Sequence, residues 1–293
     1  MKNAAEDTFF KKRNFINCNG ILVDFSTPKV MGILNLTPDS FYDGGKYNTS
    51  EKFINRVSQM IEQGAAIVDL GAQSTRPDAK LIHAEEEWNR LEMPLNKIRK
   101  EFPSAIISVD TFYSGVAEKA VDAGADLIND ISGGTMDEKM FSTIAKLKVP
   151  YILMHIRETP QTMQQKPQYD DVVRDLVYYF SERIQQLSSM GVHDIIIDPG
   201  FGFGKNLEHN YELLKNLDHF RIFERPVMAG LSRKSMVNKV LNIKAKEALN
   251  GTTVLNTIAL MKGVQILRVH DVKEAVETIK LVSALQNSKF INS

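Results

Sequence analysis

Cysteine is almost missing from this 293-residue chain: Cys18 stands alone, which excludes an internal disulfide. It lies outside every motif below, so it reads as a buried structural thiol and not a nucleophile. An excess of one charge is missing too. Thirty-six Lys and Arg balance 36 Asp and Glu, which leaves no overall field suited to nucleic acid or an anionic membrane. Any anion must be bound by a local cluster. No apolar run is long enough to span a bilayer. The first residues (Lys2, Glu6, Asp7, Lys11, Lys12, Arg13) lack the apolar centre of a signal peptide, so a soluble, cytoplasmic protein is expected. No Gly-x-Gly-x-x-Gly opens the first helical stretch, no His/Cys spacing resembles a zinc site, and no Ser-His-Asp set sits at nucleophile-elbow spacing.

What is present is an ordinary globular composition, 43% hydrophobic and 25% charged, able to bury a sizeable core. Residues 1–12 read as a disordered segment, followed by one domain over 13–293. Asn14 to Ser26 reads as a hairpin, with Asn19-Gly20 supplying the positive backbone angles of a tight turn. Short apolar runs then fall at Lys29–Asn35, Ala65–Gly71, Ala105–Asp110, Ala125–Asp130, Pro150–His155, Asp194–Pro199, Pro226–Ser232 and Gln265–His270. Between them lie amphipathic helical stretches at Ser50–Gln63, His83–Lys100, Tyr113–Ala123, Asp137–Lys146, Tyr169–Met190, Leu207–Asp218 and Lys246–Lys262, with a last one at Val272–Leu285. Alternation of this kind predicts a parallel sheet with helical crossovers. About eight such units, nearly all ending on a polar residue, favour an α/β fold of the (β/α)8 TIM-barrel type with an N-terminal β-hairpin, over an open doubly wound sheet.

The polar residues carry the chemistry. Met31-Gly32-Ile33-Leu34-Asn35 stops at a lone amide before the turn Thr37-Pro38-Asp39-Ser40, and Asp69, Asp110, Asn129, His155, Asp198, Ser232 and His270 end later runs in the same way. A barrel gathers its strand ends into one mouth, so Asn35, Asp110, Asn129, Asp198, Lys234, Arg268 and His270 should converge there. Singly, each could be an ordinary strand-end group or helix cap. The loop Asp198-Pro199-Gly200-Phe201-Gly202-Phe203-Gly204-Lys205 could bring its backbone close to a flat ligand, with the leading carboxylate accepting paired N–H donors. Its glycine spacing is wrong for a phosphate loop. Lys234 within Ser232-Arg233-Lys234-Ser235 supplies a point charge; Arg233 reads equally as a solvated basic residue. Arg268 and His270, two apart on one strand, face the same side and suit a diphosphate. Leu36–Tyr47, bearing Gly44 and Gly45, has the composition of a mobile lid. Trp88 and Glu85-Glu86-Glu87 read as a packed aromatic beside a solvated acidic face.

Taken together, Met31–Phe41 with Asp43-Gly44-Gly45, Ser74-Thr75-Arg76-Pro77, Ser108–Thr111, Ile128–Asp130, Met154-His155, Asp198–Lys205, Ser232–Ser235 and Arg268–Asp271 resemble the dihydropteroate synthase family, in order and over nearly the whole chain. The resemblance implies a homodimeric barrel that joins 6-hydroxymethyl-7,8-dihydropterin diphosphate to p-aminobenzoate and releases pyrophosphate. It implies that Asp110, Asn129, Asp198 and Lys234 hold the pterin, and that Asn35, Arg268 and His270 hold the diphosphate, with Asn35 also a ligand of Mg²⁺. Thr75, Arg76, Pro77, Phe41, Phe203 and Ser235 would border p-aminobenzoate, Thr75 and Arg76 lying against the diphosphate as well. Asp110, Asp198, Lys234, Arg268 and His270 form the expected catalytic set. The sequence departs from the family pattern at Ala72-Gln73, Asp78 and Tyr42, all in the loops after the first two barrel strands.

Two rival readings share parts of this pattern. A corrinoid-linked methyltransferase domain would carry Asp110, Asn129 and Asp198 but not Ser-Arg-Lys-Ser or Arg-Val-His, and a silent pterin-binding paralogue would have no use for a diphosphate and metal site. An aldolase on the same barrel lacks a strand-borne Schiff-base lysine.

Overall fold

The structure is a computed structural model that describes residues 14–37, 49–73, 81–157, 163 and 167–288. The segment 1–12 expected to be disordered, and the expected lid apart from Leu36 and Thr37, lie outside those residues. The chain enters through a hairpin, β1 (Phe15–Cys18) and β2 (Ile21–Asp24), whose turn residues Asn19 and Gly20 both take positive φ. Eight parallel strands follow: β3 (Lys29–Asn35), β4 (Ile67–Gly71), β5 (Ile106–Asp110), β6 (Leu127–Asp130), β7 (Tyr151–Met154), β8 (Ile195–Asp198), β9 (Met228–Ala229) and β10 (Ile266–Val269). Their order around the sheet is β8-β7-β6-β5-β4-β3-β10-β9, and Ile197 bridges to Val227 to close the ring. The long run expected at Pro226–Ser232 is regular strand only at Met228–Ala229. Pro226 has no N–H to donate, so it joins the ring only as an acceptor, from Ile197 N at 2.9 Å.

The helices between the strands are α1 (Thr49–Glu62), α2 (Ala84–Glu101), α3 (Ser114–Asp122), α4 (Met140–Leu147), α5 (Val172–Ser189), α6 (Leu207–Lys215), α7 (Ser235–Leu241), α8 (Leu249–Met261) and α9 (Val272–Asn287). Several begin later than their apolar pattern does, because a polar side chain is used before the first turn. Asp171 caps α5 by accepting from Arg174 N at 2.9 Å, and Asp137 turns away to accept from Ser114 N at 2.8 Å. The stretch expected as one helix to Asp218 breaks at Asn216 and resumes as a 3-10 helix, Leu217–Phe223.

Strand periodicity decides what fills the barrel. Met31, Ile67, Leu127, Ile152, Ile196, Met228 and Ile266 form one buried apolar cluster together with Ile16, Cys18, Val23 and Phe25 of the hairpin. The hairpin is therefore a plug over the end where the strands begin. The intervening residues point outward and pack under the helices, as Val68, Leu70, Ile107, Val109, Ile128 and Leu153 do. Two residues beyond the floor the inward parity falls on Asp69, Ser108, Asn129, Asp198 and Arg268, and the barrel changes from apolar to ionic.

Candidate active site

Arg268, on the inner face of β10, reaches across the mouth to β4 and β5. Its Nε donates to Asp69 Oδ2 at 2.7 Å, and its Nη2 lies 2.6 Å from the same oxygen and 2.7 Å from Asp110 Oδ2. Asn129 Nδ2 donates to Asp69 Oδ2 at 3.1 Å. Asp69 is fully buried, and among the described residues its Oδ1 has no hydrogen-bond partner; neither has Asn129 Oδ1 or Ser108 Oγ. Burial pushes the Asp110 carboxyl up to about 7; Arg268 opposes this, while Asp69, Asp130 and Asp198 add to it. Burial disfavours the charge on Arg268 as well, but Asp69 and Asp110 more than reverse that and hold it above the ordinary arginine value.

A second group faces the first. Asp198 ends β8 and accepts from Gly200 N at 2.8 Å; burial raises its carboxyl, against the pull of Lys234. Lys234 donates to Phe201 O and stands 4.6 Å from the centre of the Phe203 ring. Desolvation lowers its ammonium to about 8, with Asp198 opposing. His270 Nδ1 lies 3.0 Å from Ser232 Oγ. Burial, reinforced by Arg268, lowers the His270 imidazole to about 4, so it brings a neutral ring to the rim and not the second cation its type allowed. Asn35 ends β3 exposed, on the strand between β4 and β10.

The structure thus brings Asp110, Asn129, Asp198, Lys234, Arg268 and His270 to one mouth, with Asn35 on its edge and Phe203 and the exposed Ser235 beside Lys234. Phe41, Thr75, Arg76 and Pro77 lie outside the described residues. Three readings need correction. Glu87 is not on a solvated face: it is fully buried, accepts from Thr111 Oγ1 at 3.0 Å, and desolvation pushes its carboxyl up to about 8. Arg233 is not a free basic residue, because Nε and Nη2 clamp Asp271 at 2.9 and 2.7 Å. The glycines of the 198–205 loop answer to protein packing. A Cβ on Gly200 would overlap the carbonyl oxygen of His155, and one on Gly204 would stand 2.8 Å from that of Arg157. Lys205, which had no role assigned, is buried in that loop, bonded to His155 Nδ1 at 3.0 Å and to the carbonyls of Gly200 and Phe203 at 2.9 and 3.0 Å.

Asp69 was visible as a strand-end carboxylate but had no role assigned. Its inward parity with Asp110 two strand positions on was the available signal; the partner 199 residues away was not.

A family model described as pterin binding enzyme matches residues 31–270. The chain belongs to that family. Its relatives include the dihydropteroate synthase of Escherichia coli K12, 42% identical over 272 residues that span 92% of this chain and 96% of that one. Another is the dihydropteroate synthase of Streptococcus pyogenes, 44% identical over 87% of this chain and 95% of that one. A crystal structure of the Yersinia pestis dihydropteroate synthase in complex with a sulfonamide drug superposes with a TM-score of 0.87, at 40% identity over 94% of this chain and all of that one. Within the family, the function of the chain is that of the dihydropteroate synthases it matches.

Proposed function

We propose that the mouth condenses a dihydropterin methyl diphosphate with p-aminobenzoate, the pterin lying among Asp110, Asn129, Asp198 and Lys234 and the diphosphate toward Asn35, Arg268 and His270. The observation that carries this assignment is the Arg268 guanidinium held between Asp69 and Asp110, with Asn129 on the same carboxylate. Acceptors and donors are thereby fixed before any ligand arrives. Asp198 accepts from paired ring N–H groups, Lys234 donates to a ring carbonyl or nitrogen, and the face of Phe203 beside Lys234 takes the second aromatic substrate.

The bond from the pterin methylene carbon to the diphosphate oxygen breaks, and its electron pair leaves with pyrophosphate. Asp110 and Asp198 stabilise the positive charge that develops on the ring; Arg268 and the His270 N–H oppose the negative charge on the leaving group. The p-aminobenzoate nitrogen then forms the new C–N bond and gives up a proton. Among the described residues no three His, Cys, Asp or Glu side chains gather as a metal cage. A single exposed amide oxygen at Asn35 fits Mg²⁺, which takes few protein ligands and keeps phosphate and water. Bound there, it would neutralise charge on the diphosphate.

The protein works in the cytoplasm, where its lone thiol suits a reducing compartment. It works as a homodimer. Val254, Ile258 and Met261 form an exposed apolar stripe on α8, and Leu281 and Leu285 a second on α9. Ile258→Asp should halve the mass measured by light scattering, and an unchanged mass would remove this face from the interface. The assignment of function is tested by pyrophosphate release with both substrates, with and without Mg²⁺. Release that is stimulated by p-aminobenzoate and by Mg²⁺ is expected, and no release under any condition would refute it.

A further inference from the structure

We infer that Asp69 is a positioning residue that fixes the polarity of the pterin slot. The inference rests on the reading of Asn129 and Arg268 as slot residues. Asp69 lies one inward position deeper than the strand end, fully buried, and it takes three donors on a single oxygen: Arg268 Nε, Arg268 Nη2 and Asn129 Nδ2. An ionised carboxylate can only accept. The Asn129 amide is therefore held with its NH₂ toward Asp69, which leaves Oδ1, bonded to nothing among the described residues, as an acceptor for a ligand N–H. An amide without such a neighbour could present either end.

The same oxygen divides the arginine. Arg268 is bonded to Asp69 through two nitrogens and to Asp110 through one, so Asp110 keeps its other oxygen out of the pair. Without Asp69 the guanidinium would turn wholly onto Asp110 and cover the carboxylate that the pterin needs. Asp69 thus acts through Asn129 and Arg268, in a pocket also charged by Asp110, Asp130, Asp198 and Lys234.

Two variants and one control test this by calorimetric titration with pterin diphosphate. Asp69→Asn can donate as well as accept, which frees the Asn129 amide to turn. Affinity should fall on the order of 10–100-fold, the range typical when a partner that orients a ligating side chain is lost, while unfolding stays cooperative. Asn129→Asp places two carboxylates together at pH 8 and should bind more weakly than the wild type. At pH 6 protonation of the new carboxyl at position 129 restores an O–H toward Asp69 and a C=O for the ligand, so the ratio of variant to wild-type affinity should rise. Wild-type affinity in Asp69→Asn, or the same ratio for Asn129→Asp at both pH values, would overturn the inference. Should Asp69→Asn fail to fold, the Asn129→Asp ratio decides alone. Asp198→Ala is the control. If it too binds normally, the slot itself is misassigned; if it alone loses binding, only the role of Asp69 fails.

Discussion

At the floor of the barrel Ile67, Leu127, Ile196 and Ile266 are fully buried among apolar neighbours, and the hairpin seals them from below. Two residues further along the same four strands stand Asp69, Asn129 and Asp198, also buried, and the partly exposed Arg268, all ionic or amide-bearing. Each floor side chain stabilises the fold by roughly 1.5–3 kcal/mol through burial. Each rim group is held out of water at a desolvation cost that shows in Asp110 raised to about 7 and Lys234 lowered to about 8. The two layers separate stability from chemistry within one strand, by parity and by two positions. Dihydropteroate synthesis needs that separation, since a rim made of dipoles and charges is useful only on a scaffold that does not move.

The sharpest way to break the comparison is to exchange damage between layers. Lys234→Ala should lower kcat/KM by at least about 10²–10³, the scale of losing one fixed electrostatic group, with thermal stability equal to the wild type or higher. A marked loss of stability would make the rim part of the framework. Ile196→Ala should do the reverse and cost about 2–5 kcal/mol of unfolding free energy in urea, with an unchanged KM for the molecules that remain folded. A raised KM would join the layers.

Titration sharpens the same contrast. Asp110 must be ionised and Lys234 charged, so kcat/KM, which reports the free enzyme, should fall below about pH 7 and above about pH 8. For stability the sign at Asp110 is opposite to that of a salt-bridged surface carboxylate. Its folded pKa lies above the unfolded value near 4, so its contribution is full at low pH and is lost as pH rises through about 7. Asp110→Asn should then unfold at higher urea than the wild type at pH 8, with the difference shrinking at pH 5; the opposite trend would contradict the buried-charge account. The smallest effect expected is at Cys18. It is buried in the floor cluster and pushed up to about 12, chiefly by desolvation, and it should resist thiol reagents until the chain unfolds.

Much of this was readable in the sequence. The barrel strands announced themselves as apolar runs, and those ending on Asp110, Asp198 and Asn35 also named rim residues, because a strand end and a polar side chain coincide there. Three kinds of information were not local. Asp69 sits inside its strand, and its meaning comes from Arg268 on a strand brought alongside by closure of the ring. Glu87 belongs to an acidic run that looks solvated, yet the first turn of α2 carries it onto Thr111. Arg233 is neutralised by Asp271, 38 residues on, which only the pairing of β10 beside β9 could reveal. In each case the side chain type was legible and its partner was not.

The central claim is that one rim, gathered from six strands and the loop that follows β9, grips a pterin at one end and its diphosphate at the other. Titrating pterin diphosphate into Asp198→Ala in a calorimeter, in the presence of Mg²⁺, tests it most directly. The account predicts no detectable heat of binding at concentrations that saturate the wild type. An affinity equal to that of the wild type would contradict it.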